Sequence, residues 1–335
     1  MTRTPARARR RTAALAALAG LLAPALAACT TTTPEAAPTV TASRPASPAT
    51  KQPAPTPSPS EKADPLPEGP VNVLLVGTDS RDPASLGGNA DTIMLAHVPA
   101  DRSGLYLVSF TRDMWVPIPG LGEGKINAAF ARGGTDTLVE TVSGVLGGAE
   151  VDAVMQTNFN GFIALTRALD GIEVDNAHAS TVTVLSTGRV VEFPEGRISL
   201  ENTDGLIYVR ERKTLPLGDL DRAQRQRAAV TGILAGLAER ADEPKALAKL
   251  VPLMAGNVKL TGDLKPADLV DLVPLAAELG RDDVVGLMVP LTGFGTRGGA
   301  SVNLVDEAQA ADLGDAIRGD DLDAYVERYG TGYAP

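Results

Sequence analysis

Residues 105–130 read LYLVSFTRDMWVPIPGLGEGKINAAF. The first six residues are β-formers, and the run stops at Thr111-Arg112-Asp113. Pro117 and Pro119 then hold the chain extended, because proline fixes φ and disfavours helix in the residue before it. Lys125-Ile126-Asn127-Ala128-Ala129 reads as the start of a helix. The pattern predicts a buried strand that delivers an arginine and an aspartate to its carboxyl end, the edge where open α/β sheets place ligands. Taken alone, the same residues also fit a solvated loop with a weak surface salt bridge.

The preceding residues shift that balance. Residues 71–76 (VNVLLV) are apolar at nearly every position and break at Gly77-Thr78-Asp79-Ser80-Arg81. A glycine-rich loop leads to Asp91, residues 92–98 read as a second strand, and residues 99–104 as a turn. Short turns imply antiparallel neighbours. The end of strand one, the start of strand two and the end of strand three then share one edge. That edge carries Asp79, Arg81, Asp91, Arg112 and Asp113. Two carboxylates there suit Mg²⁺, which takes one or two from a protein and fills its octahedron with water and phosphate oxygens. The competing reading is that the acids only pair with the arginines.

Further along, helical patterns occupy 127–132 and 136–146, a strand 151–157, and an amphipathic helix 160–170 stopped by Gly171. Residues 172–174 read as a short strand, and 181–193 as a hairpin turning at Thr187-Gly188. A second charged stretch follows, IYVRERKTLPLGDLDRAQRQR over 207–227, with six basic residues and three acids. Arg210 and Arg212 share a face if that segment is extended. Asp219 precedes a helix expected over 221–240, with Arg222, Arg225 and Gln226 on one face of its first turns. Helix N-termini attract anions, and forked arginine donors suit diphosphate oxygens.

Composition bounds the rest. The chain has 335 residues, one cysteine and two histidines, which excludes an internal disulfide and disfavours histidine-based metal or triad chemistry. His97 lies in a strand pattern and reads as structural. Five arginines precede an apolar stretch over 12–25, shorter than the roughly 20 residues of a spanning helix. It ends on Leu26-Ala27-Ala28-Cys29, which resembles the lipobox of bacterial lipoproteins, with Cys29 as the lipidated residue. Residues 1–28 are thus expected to be a signal peptide of lipoprotein type. Residues 29–70, rich in Pro, Thr and Ala, are expected to be a disordered linker, and 71–335 the folded domain. The expected location is the outer face of the bacterial cell membrane. The formal charge is −10, about −15 without the leader arginines, which argues against nucleic acid as a partner.

Seven segments, VNVLLVGTDSR, DTIMLAHV, LVSFTRDMWVPIPG, KINAAFARGG, TNFNGFIALTRALDGIEVD, YVRERK and DLDRAQRQR, together resemble the LytR-CpsA-Psr family of cell-wall glycopolymer ligases in order and spacing. The resemblance implies a single α/β/α domain with a central mixed β-sheet flanked by helices, completed by strands over 284–289 and 301–305. It implies transfer of a glycan phosphate from a polyprenyl-diphosphate-linked donor to a peptidoglycan sugar hydroxyl. By position, Asp79 and Asp91 would hold Mg²⁺ (or Mn²⁺). Arg112, Arg210, Arg212, Arg222 and Gln226 would grip the diphosphate, with Arg81 and Lys125 nearby. Asp113 stands beside Arg112, and Asp219 would orient arginines. Departures are Ala90 for a usual serine, Arg227 for a usual glutamine, and a lipid anchor for the usual transmembrane helix. The apolar stripe over 159–169 is expected to be core, as most such stripes are, rather than the wall of a prenyl tunnel. The alternatives are a polyprenyl-diphosphate pyrophosphatase and a non-catalytic lipoprotein that binds prenyl-phosphate glycans.

Overall fold

The computed structural model describes residues 66–82, 85–262, 264 and 277–333. β1 (Val71–Thr78), β2 (Ala90–Val98) and β3 (Leu105–Phe110) pair antiparallel, β2 with β3 across the turn at 99–104 and β1 with β2 across a longer loop. β6 (Ala153–Asn158) lies parallel to β1. β11 (Val258–Gly262) closes one side and β12 (Val284–Met288) the other, giving the order β11-β6-β1-β2-β3-β12. The central sheet is therefore mixed.

Side chains alternate across a strand, and here both faces are buried. Leu74, Val76, Ile93, Leu95, Val108 and Phe110 face one way. They pack on α1 (Ile126–Val145), α6 (Glu307–Arg318) and α7 (Leu322–Tyr329) through Phe130, Leu138, Leu313, Ile317 and Tyr325. Val71, Val73, Met94, Ala96, Leu105 and Leu107 face the other way. That side is covered by α4 (Asp219–Ala238), with α2 (Phe159–Ala168) and α5 (Pro244–Asn257). Apolar runs without strict alternation are what a sheet buried on both faces needs.

Two details confirm the local reading. α1 is broken at Gly134, whose φ of 79° only glycine adopts cheaply, so two helical patterns appear in sequence. α2 is capped by Asn158, whose side chain accepts the Gly161 N–H. It ends where Gly171, φ 99°, donates back to Thr166.

A second sheet has the order β13-β14-β4-β5. It comprises β4 (Met114–Ile118), β5 (Gly122–Lys125), β13 (Leu291–Arg297) and β14 (Ala300–Val305). The prolines after Asp113 thus sit in and beside a strand. The expected hairpin is present as β8 (Ser180–Thr183) and β9 (Val190–Phe193), next to the pair β7 (Ile172–Asn176) and β10 (Gly196–Leu200).

One expectation is corrected. Arg210 is the last residue of a helix, α3 (Asn202–Arg210), not part of an extended segment shared with Arg212. Gly205 and Tyr208 bury one side of α3, and Leu206 and Val209 line a cavity. Tertiary packing overrides the modest helix propensity of Ile207, Tyr208 and Val209. Residues 1–28 and 29–65, including Cys29, lie outside the described residues.

Candidate active site

The site is built where three strands of the central sheet end. Gly77 pairs with Thr92 but Thr78 pairs with Ala90, so Asp91 is the extra residue of a β-bulge. Bulges re-aim side chains and recur beside active sites. Asp79 follows directly on β1. Its carboxylate accepts from the Asn89 backbone N–H at 2.8 Å and from Asn89 Nδ2 at 3.0 Å. A Cβ at Gly88, φ 103°, would lie 2.4 Å from Asp79 Oδ1, so the glycine makes room for that carboxylate. Burial pushes the Asp79 carboxyl up, but the Asn89 hydrogen bonds and the Arg210 charge outweigh it and hold it below the usual aspartate range.

Arg112 leaves the end of β3 and donates from Nη1 to Asp91 Oδ1 at 2.7 Å. On its other side Nε lies 3.7 Å from Asp113 Oδ2, and Asp113 Oδ1 accepts from Lys125 Nζ at 2.6 Å. Buried Asn303 braces this corner, donating from Nδ2 to Thr111 Oγ1 and from its backbone to the Asp113 carbonyl. The first turn of α4 supplies the third side. Arg222 Nη2 lies 2.7 Å from Asp219 Oδ1 and 3.5 Å from the Asp91 carbonyl. Arg212 Nη1 is 3.9 Å from the same Asp219 oxygen. Arg210 stacks over the Phe159 ring at 4.3 Å.

Burial raises the Asp219 carboxyl above the usual range, against the pull of Arg222 and Arg112. Burial likewise lowers Arg222, with Arg112 and Arg212 adding repulsion against the Asp219 charge. Among the described residues, neither Asp219 oxygen nor Arg112 Nε nor Arg222 Nε has a well-angled hydrogen-bond partner. Buried donors left unpaired are costly. The cluster of Arg112, Arg210, Arg212 and Arg222, with unpaired nitrogens on Arg112 and Arg222, offers the donors an anion would need.

The cluster caps an apolar cavity of about 370 Å³ between the sheet and α2, α3, α4 and α5. Val73, Leu107, Phe162, Leu165, Val230 and Leu234 are among its walls, and Asp91, Arg210, Arg222 and Gln226 mark its charged end. Phe162 and Leu165 therefore face a cavity rather than closed core. The sequence offered no signal for this, because a tunnel wall and a packed face have the same apolar spacing.

Two residues of the sequence reading, Arg81 and Arg225, sit away from the cluster. Arg81 is exposed, and its carbonyl accepts from Asn160 Nδ2 of the neighbouring helix. Gln226 lines the cavity but donates to the Val209 carbonyl at 3.3 Å. Arg225 does not share the Arg222 face. It is 1% exposed, stacks over Tyr208 and Phe193, and donates to the His178 carbonyl and Ser180 Oγ. His97 is structural as expected, buried between Asn72 Oδ1 and Asp320 Oδ1.

Residues missed in the sequence form a support behind α4. Arg227 reaches Ser109 Oγ at 2.9 Å and lies 5.5 Å from the Tyr333 ring, with burial pulling it down to about 10. Tyr333 donates to buried Asp221, which also accepts the Leu217 N–H. No spacing rule joins residues so far apart in sequence.

For a cation, no group of three or more His, Cys, Asp or Glu side chains gathers among the described residues. Asp79 and Asp91 still fit Mg²⁺ or Mn²⁺. They offer hard oxygens from one strand edge, with the Gly88 gap beside Asp79 and Asp91 Oδ2 outside the Arg112 pair. Phosphate oxygens and water would supply the rest.

Comparison with known proteins bears on the fold and the family. A model of the LytR_cpsA_psr family matches residues 39–318. The polyisoprenyl-teichoic acid–peptidoglycan teichoic acid transferase TagU of Oceanobacillus iheyensis is 32% identical over 200 residues, covering 58% of this chain and 59% of its own length. The Bacillus subtilis protein of the same name is 35% identical over 166 residues, covering 49% and 51%. The chain thus spans about half the length of the curated relatives it matches. Among solved structures, TagT bound to LIIa-WTA gives a TM-score of 0.60 at 25% identity, over 75% of this chain and 91% of that one. Bacillus subtilis TagV gives 0.62 at 20% identity over 81% and 100%, a likeness of fold alone. The chain shares the fold of these solved structures, and it belongs to the LytR-CpsA-Psr family.

Proposed function

We propose that the protein transfers a glycopolymer phosphate from a polyprenyl-diphosphate carrier to a peptidoglycan hydroxyl. One observation carries this reading: a 370 Å³ apolar cavity ends at an arginine cluster, which matches a ligand with a hydrocarbon tail and a diphosphate head. The TagU relatives are teichoic acid transferases by name, and the TagT complex holds LIIa-WTA.

In this scheme the acceptor oxygen attacks the glycan-bearing phosphorus. The bridging P–O bond breaks, polyprenyl phosphate leaves, and the hydroxyl proton is released. Arg112, Arg210, Arg212 and Arg222 neutralise the phosphate oxygens, and Asp219 aims Arg212 and Arg222. Phosphoryl transfer depends on this positioning and charge compensation more than on a protein nucleophile. Asp79 and Asp91 would hold Mg²⁺ or Mn²⁺, which supplies further charge neutralisation when bound. With water in place of the sugar, the same residues would act as a pyrophosphatase.

Ala96 on β2 lines the cavity. Ala96→Phe is expected to weaken donor binding by about tenfold or more, since overpacking an apolar wall costs 1–3 kcal/mol. Unchanged affinity for a short polyprenyl diphosphate, measured by calorimetry on folded protein, would count against the cavity as the tail site.

No helix among the described residues is long and apolar enough to cross a membrane. We assign the anchoring to residues 1–28 as a lipoprotein signal peptide and to a lipid on Cys29, with 29–70 as a spacer. Cys29→Ser is expected to abolish incorporation of labelled fatty acid. Equal labelling of the variant contradicts the anchor.

A further inference from the structure

Arg112 has two sides. Nη1 meets Asp91, which lines the cavity, while Nε faces Asp113 and through it Lys125. Neither Asp113 nor Lys125 lines the cavity. If the leaving polyprenyl phosphate occupies the cavity, in-line displacement brings the acceptor from the opposite, Asp113–Lys125 side.

Trp115 is at that side. It pairs directly with Lys125 across β4 and β5, and with Leu304 across β4 and β14. Directly opposed residues share a face. Gly293, Leu304, Trp115 and Lys125 thus form one row across the second sheet. Met114, Val116 and Ile118 point the other way into the core. On the outer face Pro117 and Glu123 are exposed, and Trp115 is partly exposed. The indole Nε1 donates to Glu123 Oε2 at 3.2 Å, which fixes the ring. Gly293 keeps one end of the row flat. Aromatics make up only 4% of the chain and this is its one tryptophan.

We propose that this face, centred on Trp115, is the platform for the acceptor glycan. The apolar C–H face of a pyranose stacks on the fixed indole, and sugar hydroxyls reach Glu123 and Lys125. A single pinned aromatic among charged groups suits a sugar chain better than the broad apolar centre of a protein interface. The proposal rests on transfer to a wall sugar and adds which surface selects it.

Because Trp115 is the sole tryptophan, its emission reports on this surface in the unmodified full-length protein. Titration with glycan oligomers of alternating N-acetylglucosamine and N-acetylmuramic acid, without donor, is expected to give a saturable emission change. Trp115→Ala should weaken co-sedimentation with polymer-stripped wall sacculi by about tenfold or more, as loss of a tryptophan anchor does. Trp115→Phe should restore most of it. Emission that stays constant while the protein saturates sacculi overturns the proposal, as does wild-type sacculus binding by Trp115→Ala. The wild-type titration needs no variant, so a misfolded mutant leaves the test intact. Normal glycan binding beside a failed transfer reaction would reject the donor reading and keep this surface.

Discussion

Arg112→Lys and Arg210→Lys are each expected to lower turnover by about 10²-fold or more, the loss seen when one transition-state donor is removed. Lysine keeps the positive charge but not the planar fork. Arg112 bonds Asp91 through Nη1 and keeps Nε, 3.7 Å from Asp113, as a second donor in the same plane, a geometry an ammonium cannot reproduce. Arg210 additionally stacks on Phe159, a contact that a guanidinium makes best. Arg132 is exposed on α1 and Arg132→Lys should leave turnover unchanged. Arg102, in the β2–β3 turn, is not a suitable control. Its guanidinium donates to the carbonyls of Pro67, Gly69 and Pro99, tying the start of the domain to the β2–β3 turn. Single-turnover rates with purified donor check the contrast. Full activity in both site variants would remove the arginines from the transition state.

Asp79→Ala and Asp91→Ala are expected to abolish stimulation by Mg²⁺, a loss of about 10²-fold or more if a cation neutralises the transferring phosphate. The two variants should differ in their side effects. Asp79 is held by Asn89, so its loss frees a loop; Asp91 pairs with Arg112, so its loss also frees a guanidinium. Asp91→Asn keeps an acceptor for Arg112 while removing the charge, and should still lose the metal response. Normal Mg²⁺ stimulation in either alanine variant, with melting temperature close to wild type, contradicts the assignment.

The central architecture was legible because it depends on local rules. Three apolar runs broken by turn-forming residues imply an antiparallel trio, and their ends put Asp79, Asp91 and Arg112 on one edge. Pro117 and Pro119 marked the extended stretch that became β4, and Gly134 split the α1 pattern. Other features were not legible, because they depend on packing between distant elements. The bulge that turns Asp91 arises from pairing with β1. α3 is helical because Tyr208 buries against Phe193 and α4, despite residues that also suit strands. Arg225 shares spacing with Arg222 and Gln226 but is drawn to Tyr208 and the β8 region, because a helix face of three residues spans more than one neighbour. The cavity was hidden for a related reason: periodicity shows which side of α2 is apolar, not whether anything fills the space opposite.

The most direct test supplies the purified full-length protein with a polyprenyl-diphosphate-linked wall glycopolymer, stripped peptidoglycan and Mg²⁺, and analyses the products. The account predicts glycopolymer joined through a phosphodiester to a peptidoglycan sugar, together with released polyprenyl phosphate. Only free glycan phosphate would identify a hydrolase, and intact donor bound without turnover would identify a binding protein. Either result contradicts the transferase assignment.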